Sequence, residues 1–363
     1  RGTGKSTWLR GCYPAALFVD LLLPDWQRRL AARPEHLAEL VAGHQPEGVV
    51  VVDEIQRVPA LLDVVHALIE ERPELRFVLT GSSARKLRRE GTDLLGGRAT
   101  LRAMHPFTAS ELGGEFNFER ALEIGLVPLV WTAPEPRDVL EGYAALYLRE
   151  EVQMEGMVRR LGSFARFLEA VSFSQACPIN LSEVARECEV PRKTAQGYLE
   201  VLEDLLLCFR VPGFTKRAKR RLAAHPKFFY FDVGVYRALR PAGPLDRPEE
   251  IGGAALEGLV AQHLRAWIDY GSRDTTLYYW RTRAGSEVDF VVYGAGGFWA
   301  LEVKHAARVR RSDLRSLAGF GADHPEARLA LLYRSRERLE IDGIPCLPCH
   351  EFLAHLVPGE PLF

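Results

Sequence analysis

No stretch of this chain reaches the ~18 consecutive apolar residues needed to cross a membrane. No secretory signal peptide is visible, and there is no initiator methionine; the first residue is Arg1. An excess of one charge is missing too. Lys plus Arg number 47 against 48 Asp plus Glu, a formal net charge of -1. No global field therefore gathers nucleic acid, and any such binding must use local patches. Cysteine is sparse: Cys12, Cys177, Cys188, Cys208, Cys346 and Cys349 are scattered along the chain. That excludes a disulfide scaffold and points to a reduced, cytoplasmic protein. Cys346-Leu-Pro-Cys349-His350 has the C-x-x-C-H spacing of haem attachment. It is solitary and has no export signal, so neither haem nor zinc is assigned to it. What is present is ordinary globular material: 363 residues, 47% hydrophobic and 26% charged, enough for two or three domains.

Gly2-Thr3-Gly4-Lys5-Ser6-Thr7 is the back half of a phosphate-binding loop, G-x-x-x-x-G-K-[ST]. The loop's first glycine and the strand feeding it are expected upstream of Arg1. Gly2 and Gly4 let backbone N–H groups approach phosphate oxygens with no Cβ in the way. Lys5 sets a cation on the β- and γ-phosphates of ATP, and the Ser6 hydroxyl can ligate Mg2+. Ser6 and Thr7 should open a helix whose N-terminus faces the phosphates.

Ala16 to Leu23 reads as a buried strand, and Arg28 to Ala42 as a helix. Val49-Val50-Val51-Val52-Asp53-Glu54 follows, a strand covered on both faces with an acidic pair at its C-terminal end. Ligands bind at that end in open α/β sheets. Asp53 suits a Mg2+-holding role and Glu54 the role of general base toward water. A helix over Ala60 to Glu71 leads to the strand Arg76-Phe77-Val78-Leu79 and the polar tip Thr80-Gly81-Ser82-Ser83. Thr80 or Ser82 could reach the γ-phosphate, or the tip could be a plain turn. Arg98 reads either as a phosphate-sensing arginine or as a surface residue.

The run VVVVDEIQRVP, the tip LTGSS, the segment LLGGR and the Pro-Phe-Thr-x-x-Glu at Phe107 and Glu111 resemble the AAA-type ATPase domain of a large group of prokaryotic ATP-binding proteins. The resemblance covers residues 1 to about 135. It implies a P-loop parallel-sheet domain with Lys5, Ser6, Asp53 and Glu54 at nucleotide and Mg2+ positions.

A proline-broken linker, Thr132 to Pro136, precedes a helical stretch and then Asn180 to Cys188, the turn Glu189-Val190-Pro191 and a helix from Arg192 to Leu207. This is helix–turn–helix spacing, with Arg192 and Lys193 at the start of the second helix, where base edges and phosphates are met. Cys208 to Val211 and Phe228 to Phe231 can be strands of a wing. Between them Lys216, Arg217, Lys219, Arg220 and Arg221 put five basic residues in six. They suit phosphate contact; a solvated loop is the plain alternative, and winged helices also serve as protein-binding modules.

After Arg240-Pro241 a helix from about Ala254 to Tyr270 carries Glu257 beside its apolar face. Strands follow over 276–281, 287–293 and 298–304. If Gly294-Ala295-Gly296-Gly297 is the turn, Tyr293 opposes Phe298 and Asp289 opposes Glu302. Glu287, Asp289, Glu302 and Lys304 then share the face away from the core. Carboxylates that close repel unless a cation such as Mg2+ sits between them, and Lys304 could stabilise charge on a phosphorane. This D…E-x-K pattern resembles the PD-(D/E)xK restriction-endonuclease-like superfamily. The chain from about 137 onward resembles the C-terminal part of the same ATPase group, domain of unknown function 4143, through Pro226-Lys227-Phe228, Asp232-Val233-Gly234, Glu257, Glu287-Val288-Asp289-Phe290 and Leu301-Glu302-Val303-Lys304. The implied metal set is Glu257, Asp289 and Glu302.

The expected architecture is a multidomain α/β protein. Residues 1–135 form the P-loop domain, 136–240 the helical linker and winged-helix module, and 241–363 the restriction-endonuclease-like domain. The main functional expectation is a Mg2+-dependent ATPase coupled to nucleic-acid engagement. The alternatives are a nucleotide-gated nuclease and a non-catalytic, nucleotide-switched scaffold. ATP and nucleic acid are the expected partners, further copies of the chain an open option, and a membrane is not expected.

Overall fold

Val50, Val51 and Val52 are completely buried, each worth about 1.5–3 kcal/mol relative to exposure. In the computed structural model, which describes residues 2–44, 48–81, 98–147, 161–215, 225–271 and 274–363, the valines form the middle of a three-stranded parallel sheet. The order is β1 (Leu17–Asp20), β2 (Val49–Asp53), β3 (Arg76–Leu79). Helices Pro24–Ala32, His36–His44 and Leu61–Glu71 cover it, with Leu30, Leu37, Val41 and Val65 packed into the same core as Val19, Val50 and Val52. The expected single helix over Arg28 to Ala42 is in fact two. Pro34 breaks it: the preceding Arg33 is pushed out of helical geometry, with φ -148° and ψ 83°. Ahead of the sheet, helix Lys5–Cys12 begins at Gly4, whose φ of 79° is left-handed and suits a residue without a Cβ.

The chain forms two compact units, residues 1–102 with 204–206, and residues 103–203 with 207–363. The stretch from 103 to 135, grouped with the P-loop domain on sequence grounds, lies in the second unit. So do the parts on both sides of the boundary expected at 240/241.

In the second unit, helix Leu161–Ser172, β4 (Cys177–Pro178), helices Leu181–Glu187 and Arg192–Asp204, β5 (Cys208–Val211) and β6 (Lys227–Tyr230) follow one another. The strands form an antiparallel sheet in the order β4-β6-β5, with Phe209 opposite Phe229 and Val211 opposite Lys227. Tyr198 packs edge-on to Phe164 and Phe167 at 5.3 and 5.5 Å, which fixes the second helix of the pair against helix Leu161–Ser172.

A six-stranded mixed sheet completes this unit. β7 (Thr275–Arg281), β8 (Glu287–Gly294) and β9 (Gly297–Lys304) are antiparallel, β10 (Arg328–Tyr333) joins β9 in parallel, and β12 (Ile344–Pro348) and β11 (Leu339–Ile341) extend the edge. Tyr293 pairs with Phe298 and Phe290 with Leu301. The side of β8 and β9 carrying Asp289 and Glu302 is not open to water as expected. Val291 and Ala300 on that side are completely buried, because helix Arg315–Asp323 lays Leu317 and Phe320 over it. Helix Pro248–Gly271 is buried on nearly all sides. The two sheets are also stitched together: Tyr279 N–H donates to Pro212 O and Phe214 N–H to Tyr279 O, a short parallel bridge onto β7. No helix among the described residues is long and apolar enough to cross a membrane.

Candidate nucleotide site and a carboxylate–lysine centre

Parallel pairing brings the C-terminal tips of β1, β2 and β3 to one edge of the first unit. Val52 pairs with Leu79, so Asp53 and Thr80 emerge as neighbours. Thr80 N–H donates to Val52 O at 3.0 Å and Ile55 N–H to Thr80 O at 2.9 Å, which carries the ladder one step beyond the strands. The Asp53 carboxylate, buried, takes two hydroxyl protons. Ser6 Oγ donates to its Oδ2 at 2.5 Å, and Thr80 Oγ1 donates to its Oδ1. Both hydroxyl protons are thereby committed, and the Ser6 lone pairs are left to face a cation. The residues present fit Mg2+: one hydroxyl, oriented by one carboxylate, at the mouth of a helix that begins with Gly-Lys-Ser.

Glu54 turns the chain at this edge with φ 60° and ψ 45°, a left-handed geometry that is costly for a non-glycine residue. Its backbone N–H donates to Thr80 Oγ1 at 3.1 Å, and its Oε2 accepts from Gln56 Nε2 at 2.5 Å. Gln56 was not singled out from the sequence; a glutamine two residues from a candidate base carries no pattern of its own. Gly2, also left-handed, and Lys5 are half-buried, and Thr7 is exposed. Arg98 is held by Glu70, Nη2 to Oε1 at 2.6 Å, with both side chains about half exposed. Ser82 lies outside the described residues, as do Lys216, Arg217, Lys219, Arg220 and Arg221.

The second unit gathers the other expected group. Helix Pro248–Gly271 supplies Glu257, β8 supplies Glu287 and Asp289, and β9 supplies Glu302 and Lys304. The cation among them is one the sequence reading did not assign, Lys227 of β6. Its Nζ lies 2.7 Å from Glu257 Oε1, 2.7 Å from Glu287 Oε1 and 3.2 Å from Asp289 Oδ1, in a side chain only 1% exposed. Burial by itself would lower this lysine's pKa; Glu257, Asp289 and Glu287 outweigh it and hold the ammonium well above the ordinary range. Asp289 Oδ2 accepts from Val303 N–H at 2.9 Å, and Glu302 Oε1 accepts from Lys304 Nζ at 2.6 Å. Glu257 and Glu302 are each pushed up to about 8, first by burial and then by Asp289, against the pull of Lys227 and Lys304 respectively. Lys304 is held above the ordinary lysine value: burial lowers it, and Glu302 more than offsets that. Among the described residues no group of three or more His, Cys, Asp and Glu side chains is disposed to hold a metal ion. Of the metal set expected from Glu257, Asp289 and Glu302, the first two meet the Lys227 ammonium and Glu302 meets that of Lys304. The signal available was one lysine in an otherwise aromatic run, Lys227-Phe228-Phe229-Tyr230-Phe231: a buried charge must have partners.

Elsewhere, Arg192 and Lys193 are exposed at the start of helix Arg192–Asp204. Cys346 and Cys349 are buried free thiols. A cavity of about 270 Å3 opens beside His305, but Arg334 on its wall already donates to Glu119 at 2.6 and 2.7 Å.

Comparison with known proteins divides the chain in three. The model of an AAA domain matches residues 1–113, a domain of unknown function (DUF8612) matches 115–246, and a domain of unknown function (DUF4143) matches 252–352. Uncharacterized proteins of Mycobacterium tuberculosis (Rv2008c) and Mycobacterium bovis (Mb2031c) are each 27% identical over 315 residues, covering 84% of this chain and 69% of theirs. The crystal structure of protein VC1899 from Vibrio cholerae aligns over 91% of this chain and 79% of its own, at 12% identity and a TM-score of 0.22. The chain therefore joins an AAA-type nucleotide-binding domain, at its N-terminal end, to a DUF4143 domain.

Proposed function

We propose that the chain binds ATP with Mg2+, hydrolyses it, and couples the cycle to nucleic acid held by its helix–turn–helix segment. The observation that carries the ATPase reading is the Ser6–Asp53–Thr80 hydrogen-bonded group at the C-terminal edge of a parallel sheet. In this reading Lys5 and the N-terminus of helix Lys5–Cys12 hold the phosphates. Asp53 aims the Ser6 hydroxyl at the metal. Bound there, Mg2+ would supply charge neutralisation to the phosphates. Glu54, with its carboxylate steadied by Gln56, takes the proton of the attacking water. For Arg98 to sense the γ-phosphate it must exchange Glu70 for the nucleotide.

Glu54→Gln should retain ATP binding, read with a fluorescent nucleotide, while hydrolysis falls about 10²-fold or more. Lys5→Ala should weaken binding itself. Hydrolysis at the wild-type rate in Glu54→Gln would remove Glu54 from the mechanism.

Support for the nucleic-acid arm comes from a helix, a short strand, two helices joined by a tight turn and two further strands, the order of a winged helix, with Arg192 and Lys193 exposed where a recognition helix begins. ATP turnover indifferent to added DNA or RNA would instead favour a nucleotide-switched protein scaffold.

A further inference from the structure

The centre formed by Glu257, Glu287, Asp289, Glu302 and Lys304 has the residue types of a metal-dependent phosphodiesterase, yet its geometry is already closed. An ammonium has three N–H donors and no acceptor. Those of Lys227 face three carboxylate oxygens, on Glu257, Glu287 and Asp289, at 2.7, 2.7 and 3.2 Å. Asp289 has both oxygens committed, one to Lys227 and one to the Val303 N–H. Glu302 gives one oxygen to Lys304, while its Oε2 is buried with no hydrogen-bond partner among the described residues. A Mg2+ between Asp289 and Glu302 would therefore find one oxygen of the pair free of a hydrogen bond and would compete with protein donors for the other three, where it demands near-octahedral oxygen ligation at 2.0–2.1 Å. It would also sit against the Lys227 charge.

Charge counting agrees. Four carboxylates meet Lys227, Lys304 and, at 3.6 Å from Glu287, Arg281. One negative charge is left over, and the bare Glu302 oxygen can carry one proton.

Lys227 is also held from swinging away. Tyr279 OH donates to His225 O at 2.6 Å, and the Tyr279 ring lies with its centroid 5.6 Å from Lys227 Nζ. The bridge between Gly213 and Tyr279 fixes the other strand of the hairpin on β7. Moving the ammonium out means parting β6 from the six-stranded sheet.

We infer that Lys227 is the resident cation of this centre: its ammonium takes the place of a divalent metal, and the cluster is a metal-independent ionic clasp that fastens the β4-β6-β5 sheet to the six-stranded sheet, not a phosphodiester-cleaving site. The clasp is independent of the nucleotide reading, since neither Lys5 nor Asp53 takes part in it.

The test is a titration of the full chain with Mn2+ and no nucleotide, followed by calorimetry and thermal melting. Asp289→Asn serves as the reference that cancels any other Mn2+ site. Wild type should show no Mn2+ binding that Asp289→Asn removes, and no Mn2+-dependent cleavage of DNA or RNA that Lys304→Ala removes. Either signal would overturn the proposal, and neither measurement needs Lys227 to be altered. Lys227→Met frees three carboxylates at once. Once folded, in buffer or with Mn2+ added, it should gain Mn2+ binding and a melting temperature several degrees higher with the metal, both lost again in Lys227→Met/Asp289→Asn. A folded Lys227→Met that gains no Mn2+ binding would show that the ammonium does not stand in a metal's position.

Discussion

His263 is almost completely buried. Ala109 N–H donates to its Nε2 at 3.0 Å, so its Nδ1 carries the proton and donates to Leu259 O at 2.7 Å. Burial, against the help of Leu259 O, lowers its pKa to about 4. Between the ordinary value near 6.5 and pH 4 the unfolded chain binds a proton that the folded chain refuses, so stability falls as pH drops through that window. The full effect is at most about 3–4 kcal/mol at ~1.4 kcal/mol per unit. Glu302 acts with the opposite sign. Its folded value near 8 lies above the ordinary 4.5, so the folded state holds an extra proton between those limits and stability is lost as pH rises through them. His263→Gln should reduce the loss of melting temperature as pH falls from 6.5 to about 4, and Glu302→Gln the loss as pH rises from 4.5 to about 8. Unchanged profiles would mean that neither group titrates in the folded protein as described. At this scale Lys5, Ser6, Asp53 and Glu54 were legible from the sequence, because their chemistry is local and their spacing follows from one strand and one helix. Lys227 was not: two of its three partners lie 30 and 62 residues away, and nothing in Pro226-Lys227-Phe228 names them.

The elements themselves were mostly legible where an apolar run had one reading. β2, β3, β8 and β9 stand within a residue or so of where their valines, leucines and aromatics put them. Beyond Lys304 no strand was assigned. β10 is a short apolar run that suits a strand or a buried helix equally. β12 carries Pro345 and Pro348, residues that argue against a strand lying between two others, as β12 does between β10 and β11. Packing between elements also shows at glycines. Gly234, in helix Val233–Leu239, faces the end of helix Phe118–Ile124 so closely that a Cβ would lie 2.1 Å from Ile124 O, a backbone atom. The contact is tightened by Asp232, whose Oδ2 accepts from Leu126 N–H at 2.7 Å. Gly234→Ala should therefore destabilise the protein by about 1–3 kcal/mol or more, the range for forcing atoms into a filled site. Gly197→Ala, in helix Arg192–Asp204 with nothing within 4 Å of its Cβ, should stabilise it by about 0.5–1 kcal/mol. Denaturant melts of the two variants shifting in the same direction would contradict this packing.

For the whole molecule, a formal net charge of -1 leaves no general attraction for a polyanion, so any nucleic-acid affinity must come from a few phosphate contacts and fade steeply with salt. If Arg192 and Lys193 each touch a phosphate, replacing both with alanine should reduce the slope of log affinity against log salt by about 1.4–1.8, at roughly 0.7–0.9 per contact. An unchanged slope would leave that helix start to solvent or to a protein partner. The boundary read from the sequence at 240/241 is the point at which the Lys227 clasp matters most. Cutting there would leave the ammonium on one fragment and Glu257, Glu287 and Asp289 on the other. Breaking a buried ion pair by removing one partner costs about 3–5 kcal/mol, against total stabilities of about 5–15 kcal/mol for a typical protein. Two sheets that each need the other's charge cannot open one at a time. In native-state hydrogen exchange the amides of β6 and β9 should therefore share one opening free energy, and the two halves of the second unit should behave as a single cooperative foldon.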